Sequence, residues 1–511
     1  MTLTPDPVRP TTTPALPVVA LARAHGMTIL GSSTGVAVTG VTSRSQDVRP
    51  GDLFVGLPGA ASHGARYAAE AVAAGAVAVL TDAAGSAIAD PRIAPILVAR
   101  SPRAVLGAVA ASVYRTAQRM PLLLGVTGTN GKTTTVHLLE HLLEHLGTPA
   151  GVSSTAERGS GHEHVPSRLT TPEADELHAL LAQLSERGVR AAAIEVSAQA
   201  LVRSRVDGLR FDVAGFTNLS HDHLDDFGSM DAYLAAKARL FVPARSAAGV
   251  ISVDSTAGAA IARTARIPVT TVTTQDVDAD WRVHDVRVGR DGTEFSLDGP
   301  DGERLTTRLG LLGRHQAANA ALAIAMAVRA GVAFDRVAEA VHDGGLLVAM
   351  PGRLERVPGS SDPEVHLDVA HTPDAFAAGL SALRPLATGR LVAVFGADGD
   401  RDPTKRGPMG RAAAELADVV VVHDHHSRFE DPDAIRAMLL DGARSAGRAR
   451  VLEVPDPGEA IRVAMAEAGE GGSVLWAGTG RTAYRDVAGV KRPYSFWDEA
   501  RAAVAEGHGA P

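Results

Sequence analysis

An apolar run from Leu122 to Val126 breaks at glycine. It then passes through Gly128-Thr129-Asn130-Gly131-Lys132-Thr133-Thr134 into a helical pattern extending from Thr133 to about Leu146. A loop of this kind between a buried strand and a helix leaves few architectures open. The strand belongs in a parallel sheet, where its C-terminal end and the helix N-terminus open on one crevice. Gly128 and Gly131 let backbone N–H groups turn toward phosphate oxygens, and the helix N-terminus favours negative charge there. Lys132 can span the outer phosphates, and the Thr133 hydroxyl suits Mg²⁺. The longer GxxxxGK[ST] loop begins with glycine where this chain has Val126, so this is the shorter GTNGKT form.

The remaining pattern divides the 511 residues into three α/β domains behind a mobile lead rich in Pro and Thr (1–17). Residues 18–100 predict short strands at Val36–Arg44, Asp52–Leu57, Ala76–Asp82 and Ala94–Ala99, with alanine-rich helices between them. A helix from Pro102 to Gln118 leads into a central region, 101–350, with buried strands at Ala191–Ser197 and Asp212–Asn218. Strand–helix alternation there predicts a parallel sheet covered on both faces. From Trp281 to Leu309 the Asp291-Gly292 and Asp301-Gly302 dipeptides signal hairpins and a small antiparallel sheet. A helix from Gln316 to Gly331 follows. Residues 351–511 predict a second, Rossmann-like doubly wound unit.

Lysine is nearly absent: of 50 basic residues only Lys132, Lys237, Lys405 and Lys491 are lysine. A lysine that survives this bias marks a place where a primary amine is needed chemically. The net charge of −8 and the lack of basic runs argue against nucleic acid or a membrane surface as partner. The absence of cysteine excludes disulfides and thiolate metal sites, and fits the cytoplasm. No stretch of 18 apolar residues is present, so no bilayer span is expected.

The GTNGKT loop, AIEVSAQAL, FTNLSHDHLDDFGSMDAYLAAKARLF, PGRLERV, LDVAHTPDA and FGADGDRDPTKRGPMG together resemble the Mur ligase superfamily, in its order, from about Val41 to about Asp498. The likeness is greatest to the MurE-type branch, the tripeptide synthetases. It implies a UDP-substrate domain, an ATP domain and an amino-acid domain, in that order, and an ATP-dependent ligase joining an amino acid to a UDP-N-acetylmuramoyl-dipeptide-like carboxylate. It also implies two Mg²⁺ ions and a monomer. By the resemblance Glu195 and His223 ligate Mg²⁺ with Thr133, and Lys237 carries a CO₂-derived carbamate. Asn319, Arg353, Asp368 and His371 fall to ATP. Thr42, Ser43, Arg44, Thr170, Thr171, Ser197, Arg203 and Arg205 fall to the acceptor. Only a neutral primary amine can add to CO₂, which explains lysine rather than arginine at position 237.

Arg401, His425, His426, Arg428, Gly478 and Thr482 fall to the incoming amino acid, and here the chain departs from the resemblance. The diaminopimelate-adding enzymes have D-N-P-R where this chain has His425-His426-Ser427-Arg428, and G-K-G-H-E where it has Gly478 to Thr482. Asp398 stands where they have glycine. Loss of two carboxylates disfavours a distal ammonium, because an unpaired buried charge costs several kcal/mol, roughly. Diaminopimelate and lysine are therefore expected to be poor substrates, and neutral or acidic side chains better ones. The run His423-Asp424-His425-His426 is also a candidate metal site. Alternatives are a relative acting on another carboxylate and amine, or a non-catalytic nucleotide-binding paralogue. The intact Lys132, Glu195, His223 and Lys237 weigh against the latter.

Overall fold

The computed structural model describes residues 8–59, 62–118, 120–161, 163–342, 345–359, 362–478 and 483–507. Three sheets, of five, eleven and six strands, organise the described residues. In the first, Ile96–Val98, Ala78–Thr81, Asp52–Val55 and Gly40–Thr42 run parallel, and Thr28–Leu30 pairs antiparallel at one edge. The helix Pro102–Tyr114 leaves this sheet, with Ser101 as its N-cap and Pro102 in its first turn, where a missing N–H costs nothing. Its last residue ties it back through a hydroxyl that donates to Val41 O at 3.2 Å.

The central sheet positions the site. The strand Leu122–Thr127 lies between Ala191–Glu195 and Phe211–Phe216, all parallel. The register sets Glu195 beside Val126 and Phe216 beside Thr127, so the glycine loop, Glu195 and the residues after Phe216 share one C-terminal edge. Strand alternation sends Leu124 and Val126 into the core with helices Lys132–His145 and Arg314–Arg329, and Leu123 into the core on the other face. The alanines Ala317, Ala320, Ala321 and Ala323 are fully buried, which lets the helix Arg314–Arg329 lie close to the sheet.

The three strands expected between Trp281 and Leu309 are antiparallel to one another. They do not stand apart: Val272 pairs in parallel with Trp281, so they extend the large sheet. Two parallel strands inside that sheet, Ser246–Ser252 and Val269–Thr273, and the edge hairpin Glu157–Ser160/Glu163–Pro166 were not anticipated. In the third sheet Glu364–Asp368, Ser473–Ala477, Leu391–Phe395, Val419–Val422 and Arg450–Glu453 are parallel, as the doubly wound pattern requires.

The expected mobile lead needs correction over its described part, residues 8–17. The Arg9 guanidinium pairs with both oxygens of buried Asp52 at 2.7 Å. Thr11 donates its N–H and hydroxyl to Glu186 at 2.7 and 2.6 Å. Leu16 and Pro17 pair with Val38 and Ala37. A segment with a buried bidentate ion pair and strand pairing is held, not loose.

Candidate active site

The phosphate loop is shaped by its neighbours as much as by its own sequence. Gly128 and Gly131 adopt φ of +150° and +87°. A Cβ on Gly128 would lie 1.8 Å from Thr217 Oγ1, and one on Gly131 would lie 2.3 Å from Asn319 Oδ1. Both positions therefore demand glycine for space as well as for conformation. Asn218 accepts the Asn130 N–H on its side-chain oxygen at 2.9 Å and the Thr129 N–H on its carbonyl at 2.9 Å. The Thr217 hydroxyl donates to Asn130 O at 2.6 Å. Lys132 folds back and donates to the carbonyls of Gly128 and Thr129 at 3.2 and 2.9 Å. Burial lowers its pKa, against the pull of Glu195 and Asp222. Thr133 and Thr134, in the first turn of the helix, are buried.

Glu195 ends its strand fully buried, accepting the Thr155 N–H at 2.8 Å and hydroxyl at 3.1 Å. Among the described residues no cationic side chain forms an ion pair with it. Lys237, on the helix Met230–Ala238, is 1% exposed. Its ammonium nitrogen donates to Gly128 O at 2.6 Å and lies 4.2 Å from the centre of the Tyr233 ring. Burial holds its pKa well below that of a free lysine, and the charge of Lys132 adds to this. The two scarce lysines thus share one backbone carbonyl from two helices. His223 sits at a helix start with φ of +57°; burial lowers its pKa, partly offset by Asp222.

Asp222, which the sequence reading passed over, organises the far side of the site. Its carboxylate lies 3.0 Å from Lys405 and 3.5 Å from both His223 and His371. Burial would raise its pKa, but the hydrogen bond from His371 and the charges of His371, Lys405 and His223 hold it far below the usual carboxylate range. Lys405 and His371 belong to the third sheet's unit and Asp222 to the central one, so this ion pair bridges them. Scarcity had singled out Lys405; nothing in the sequence named its partner.

Two cavities meet at the loop. One, of about 530 Å³, has Asn130, Gly131, Thr134, Asn319, Arg353, Asp368 and His371 on its wall. These are most of the residues the resemblance gives to ATP. The Asn319 amide donates to Gln316 at 2.9 Å. His315 is pushed down to about 4 by burial, with the charge of Arg353 acting the same way. Burial raises Asp368, against the charge of Arg353 and the N–H donors of Leu354 and Ala370.

The other cavity, of about 620 Å³, has Gly128, Lys132, His223 and Lys237 on its wall. Thr170, Ser197, Arg203 and Arg205 line it on one side, and Arg401, His425, His426 and Gly478 on the other. Residues expected to hold acceptor and amino acid thus face the phosphate loop across one space. Thr171 stands just behind, donating its hydroxyl to Glu195 O at 2.7 Å. Ser43 and Arg44 are not on either wall: the Ser43 N–H is bonded to Asp175 at 2.6 Å and Arg44 pairs with Asp47 at 3.0 Å. Arg428 also lies off the wall, and Thr482 lies outside the described residues.

The histidine run does not converge as a metal site. His423 turns into the core, accepting the Trp476 indole N–H at 2.8 Å. Asp424 pairs with Arg436. His425 and His426 do meet Asp398, with one ligand atom of each within 4.8 Å of the others. Protein donors already occupy both Asp398 oxygens: His425 Nδ1 at 2.7 Å and the Arg428 guanidinium at 3.0 Å.

Comparison with known proteins gives the family. Residues 37–114 match the family described as Mur ligase family, catalytic domain; 126–327 match Mur ligase middle domain; and 352–480 match Mur ligase, glutamate ligase domain. The chain is 53% identical over 505 residues to a UDP-N-acetylmuramyl-tripeptide synthetase of Leifsonia xyli subsp. xyli, covering 98% of each. It is 42% identical, over 99% of each chain, to a UDP-N-acetylmuramoyl-L-alanyl-D-glutamate--2,6-diaminopimelate ligase of Streptomyces coelicolor. A solved structure of a ligase of that same name superposes with a TM-score of 0.65 at 28% identity, covering 96% of this chain and 99% of the other.

Proposed function

The chain belongs to the Mur ligase family, and from that premise we propose that it adds an amino acid to a UDP-N-acetylmuramoyl-dipeptide as a tripeptide synthetase. It is an ATP-dependent ligase that forms an amide bond. In the reaction, a carboxylate of the acceptor attacks the γ-phosphorus of ATP and ADP leaves, giving an acyl phosphate. The amine of the amino acid adds to the acyl carbon, and the tetrahedral intermediate collapses with release of phosphate and a proton. The observation that carries this reading is the larger cavity. There the phosphate-loop lysine and buried Lys237 face Thr170 and Arg205 on one side and Asp398, His425 and Arg401 on the other.

The residues divide the work by position. Lys132, freed from the carbonyls of Gly128 and Thr129, holds the phosphoryl oxygens and offsets the charge that develops during transfer. Arg205, itself oriented by Glu173 at 3.1 Å, and Thr170 hold the acceptor. Arg353, Asp368, Asn319 and His371 enclose the nucleotide. Asp222 pairs with Lys405 and His371 and thereby ties the third sheet's unit to the central one.

The donor set fits Mg²⁺. Glu195 is a buried carboxylate with hydroxyl donors for neighbours and no ion-pair partner among the described residues, an arrangement that a hard cation completes. Thr133, Glu195 and His223 would hold it, and there it would neutralise phosphate charge. Lys237 fits carbamylation, because burial lowers its pKa well below that of a free lysine and so favours the neutral amine, the form that can add CO₂ with loss of a proton; the carbamate would supply an anion beside the cation. No described helix is long and apolar enough to cross a membrane, and a need for ATP supports a cytoplasmic location.

Hydroxylamine trapping tests the first half of the reaction without the natural amine. With ATP, Mg²⁺ and UDP-N-acetylmuramoyl-L-alanyl-D-glutamate, a hydroxamate of the acceptor is expected to form in step with ADP. ADP release with no hydroxamate would refute the acyl phosphate.

A further inference from the structure

Asp398 lies on the cavity wall, whereas Arg428, the guanidinium it binds, does not. The order matters, because a guanidinium facing the cavity would recognise a carboxylate by paired hydrogen bonds. Here the protein's own carboxylate has taken that place. Arg428 is held where it stands by its guanidinium bond to Asp398 at 3.0 Å, on a backbone anchored by an N–H donated to Asp486 O at 3.0 Å and a carbonyl that accepts from Ala488 at 2.7 Å. Arg406, also on the wall, is spent on Glu430 at 2.7 Å and the Asp398 carbonyl at 3.0 Å.

The two histidines fix the polarity around Asp398. His425 donates from Nδ1 to Asp398 and stacks on Phe496, ring centres 5.1 Å apart. His426 Nδ1 accepts the Asp486 N–H at 2.9 Å. Burial pushes the His426 pKa down to about 4, with the neighbouring His425 adding to it, so near neutral pH the ring is neutral with its proton on Nε2. Arg428 and His425 together hold Asp398 ionised, against the upward push of its burial. The wall therefore presents a stable carboxylate whose countercharge lies behind it.

Resting on the ligase reading above, we propose that Asp398 is the specificity-determining residue for the incoming amino acid. It selects a side chain that ends in a hydrogen-bond donor and rejects one that ends in a carboxylate. A hydroxyl, amide or amine can donate to the free lone pairs of Asp398; a carboxylate meets like charge, with Arg428 out of reach. Arg401, a wall guanidinium with no ion pair among the described residues, remains for the α-carboxylate. This revises the sequence-based expectation in two respects. Acidic side chains gain nothing from Arg428, and an ammonium finds a counter-charge in Asp398 that the lost acidic positions no longer provide.

The test compares kcat/KM for amino acids within each enzyme, wild type against Asp398→Ala and Asp398→Asn. The panel is L-homoserine, L-glutamine, L-lysine and its two shorter homologues as donors, L-norvaline as the apolar control, and L-glutamate and L-2-aminoadipate as carboxylates. In the wild type the best donor is expected to exceed both norvaline and the carboxylates. Asp398→Ala is expected to shrink the donor-to-carboxylate ratio at least ~10-fold, and the Asn variant to fall between. Preference among the donors tells an ammonium from a neutral group, and either supports the proposal. A ratio unchanged in both variants overturns it, as does a wild type whose best substrate is norvaline or a carboxylate side chain. Hydroxamate formation by the same preparations reports the first half-reaction separately, so failure of the ligase reading is distinguished from failure of this one.

Discussion

Replacing Lys237 with arginine is expected to lower kcat by about 10²- to 10³-fold, the scale for losing one electrostatic group at a phosphoryl site. The substitution keeps a basic side chain but removes the primary amine and fixes a positive charge in its place, so the alanine variant is needed to separate loss of the amine from the guanidinium's own charge. Lys237 is buried beside Lys132, with a pKa held well below its ordinary value by burial first and by that second lysine. A permanently charged guanidinium in the same place can neither shed its proton nor add CO₂. Lys237→Ala removes the steric complication, and short carboxylates such as formate or acetate should partly restore its turnover. Activity of the arginine variant matching wild type in CO₂-depleted buffer would remove the carbamate from the account. Melting curves check that the buried substitution has not simply unfolded the central sheet.

Lys132→Ala and Glu195→Gln are expected to lower acceptor-dependent phosphate release by ~10³-fold or more while leaving the fold intact. Glu195→Gln is the sharper of the two. An amide oxygen in the place of Oε1 can still accept the Thr155 N–H at 2.8 Å, and the Thr155 hydroxyl, 3.1 Å from Oε2, can turn to accept from the amide NH2, so the shape is kept and the negative charge goes. Nucleotide affinity measured with Mg²⁺ and with EDTA separates the two effects. The wild type should bind more tightly with Mg²⁺, and the glutamine variant should lose that difference. Substantial acceptor-dependent ATP turnover by either variant would mean the phosphate site lies elsewhere.

Sequence exposed those parts of the site whose chemistry depends on local order. The glycine loop could be read because strand, turn and helix are contiguous, and Lys237 because a lysine stands out in an arginine-rich chain. What the sequence concealed is pairing at a distance. Asp222 meets Lys405 across 183 positions and Asp398 meets Arg428 across 30, and no periodicity marks either partner. The histidine run misled for the complementary reason. The strand ends at Val422 and the chain beyond it is irregular, so His423 fills the core while His425 turns to Asp398. The inner strands Ser246–Ser252 and Val269–Thr273 escaped because alanine, threonine and serine dilute their apolar signal, although the sheet buries several of them on pairing. The anchoring of the N-terminal lead was invisible because its partners, Asp52 and Glu186, lie in other elements.

The central claim is amide ligation coupled to cleavage of ATP at the γ-phosphate. The most direct measurement incubates the purified chain with ATP, Mg²⁺, UDP-N-acetylmuramoyl-L-alanyl-D-glutamate and each amino acid in turn, and quantifies all products by mass. ADP, phosphate and an acceptor lengthened by one residue are expected in equal amounts, with none of the three formed when acceptor is omitted. AMP with pyrophosphate, or ADP formed without any lengthened acceptor across the whole panel, would contradict it.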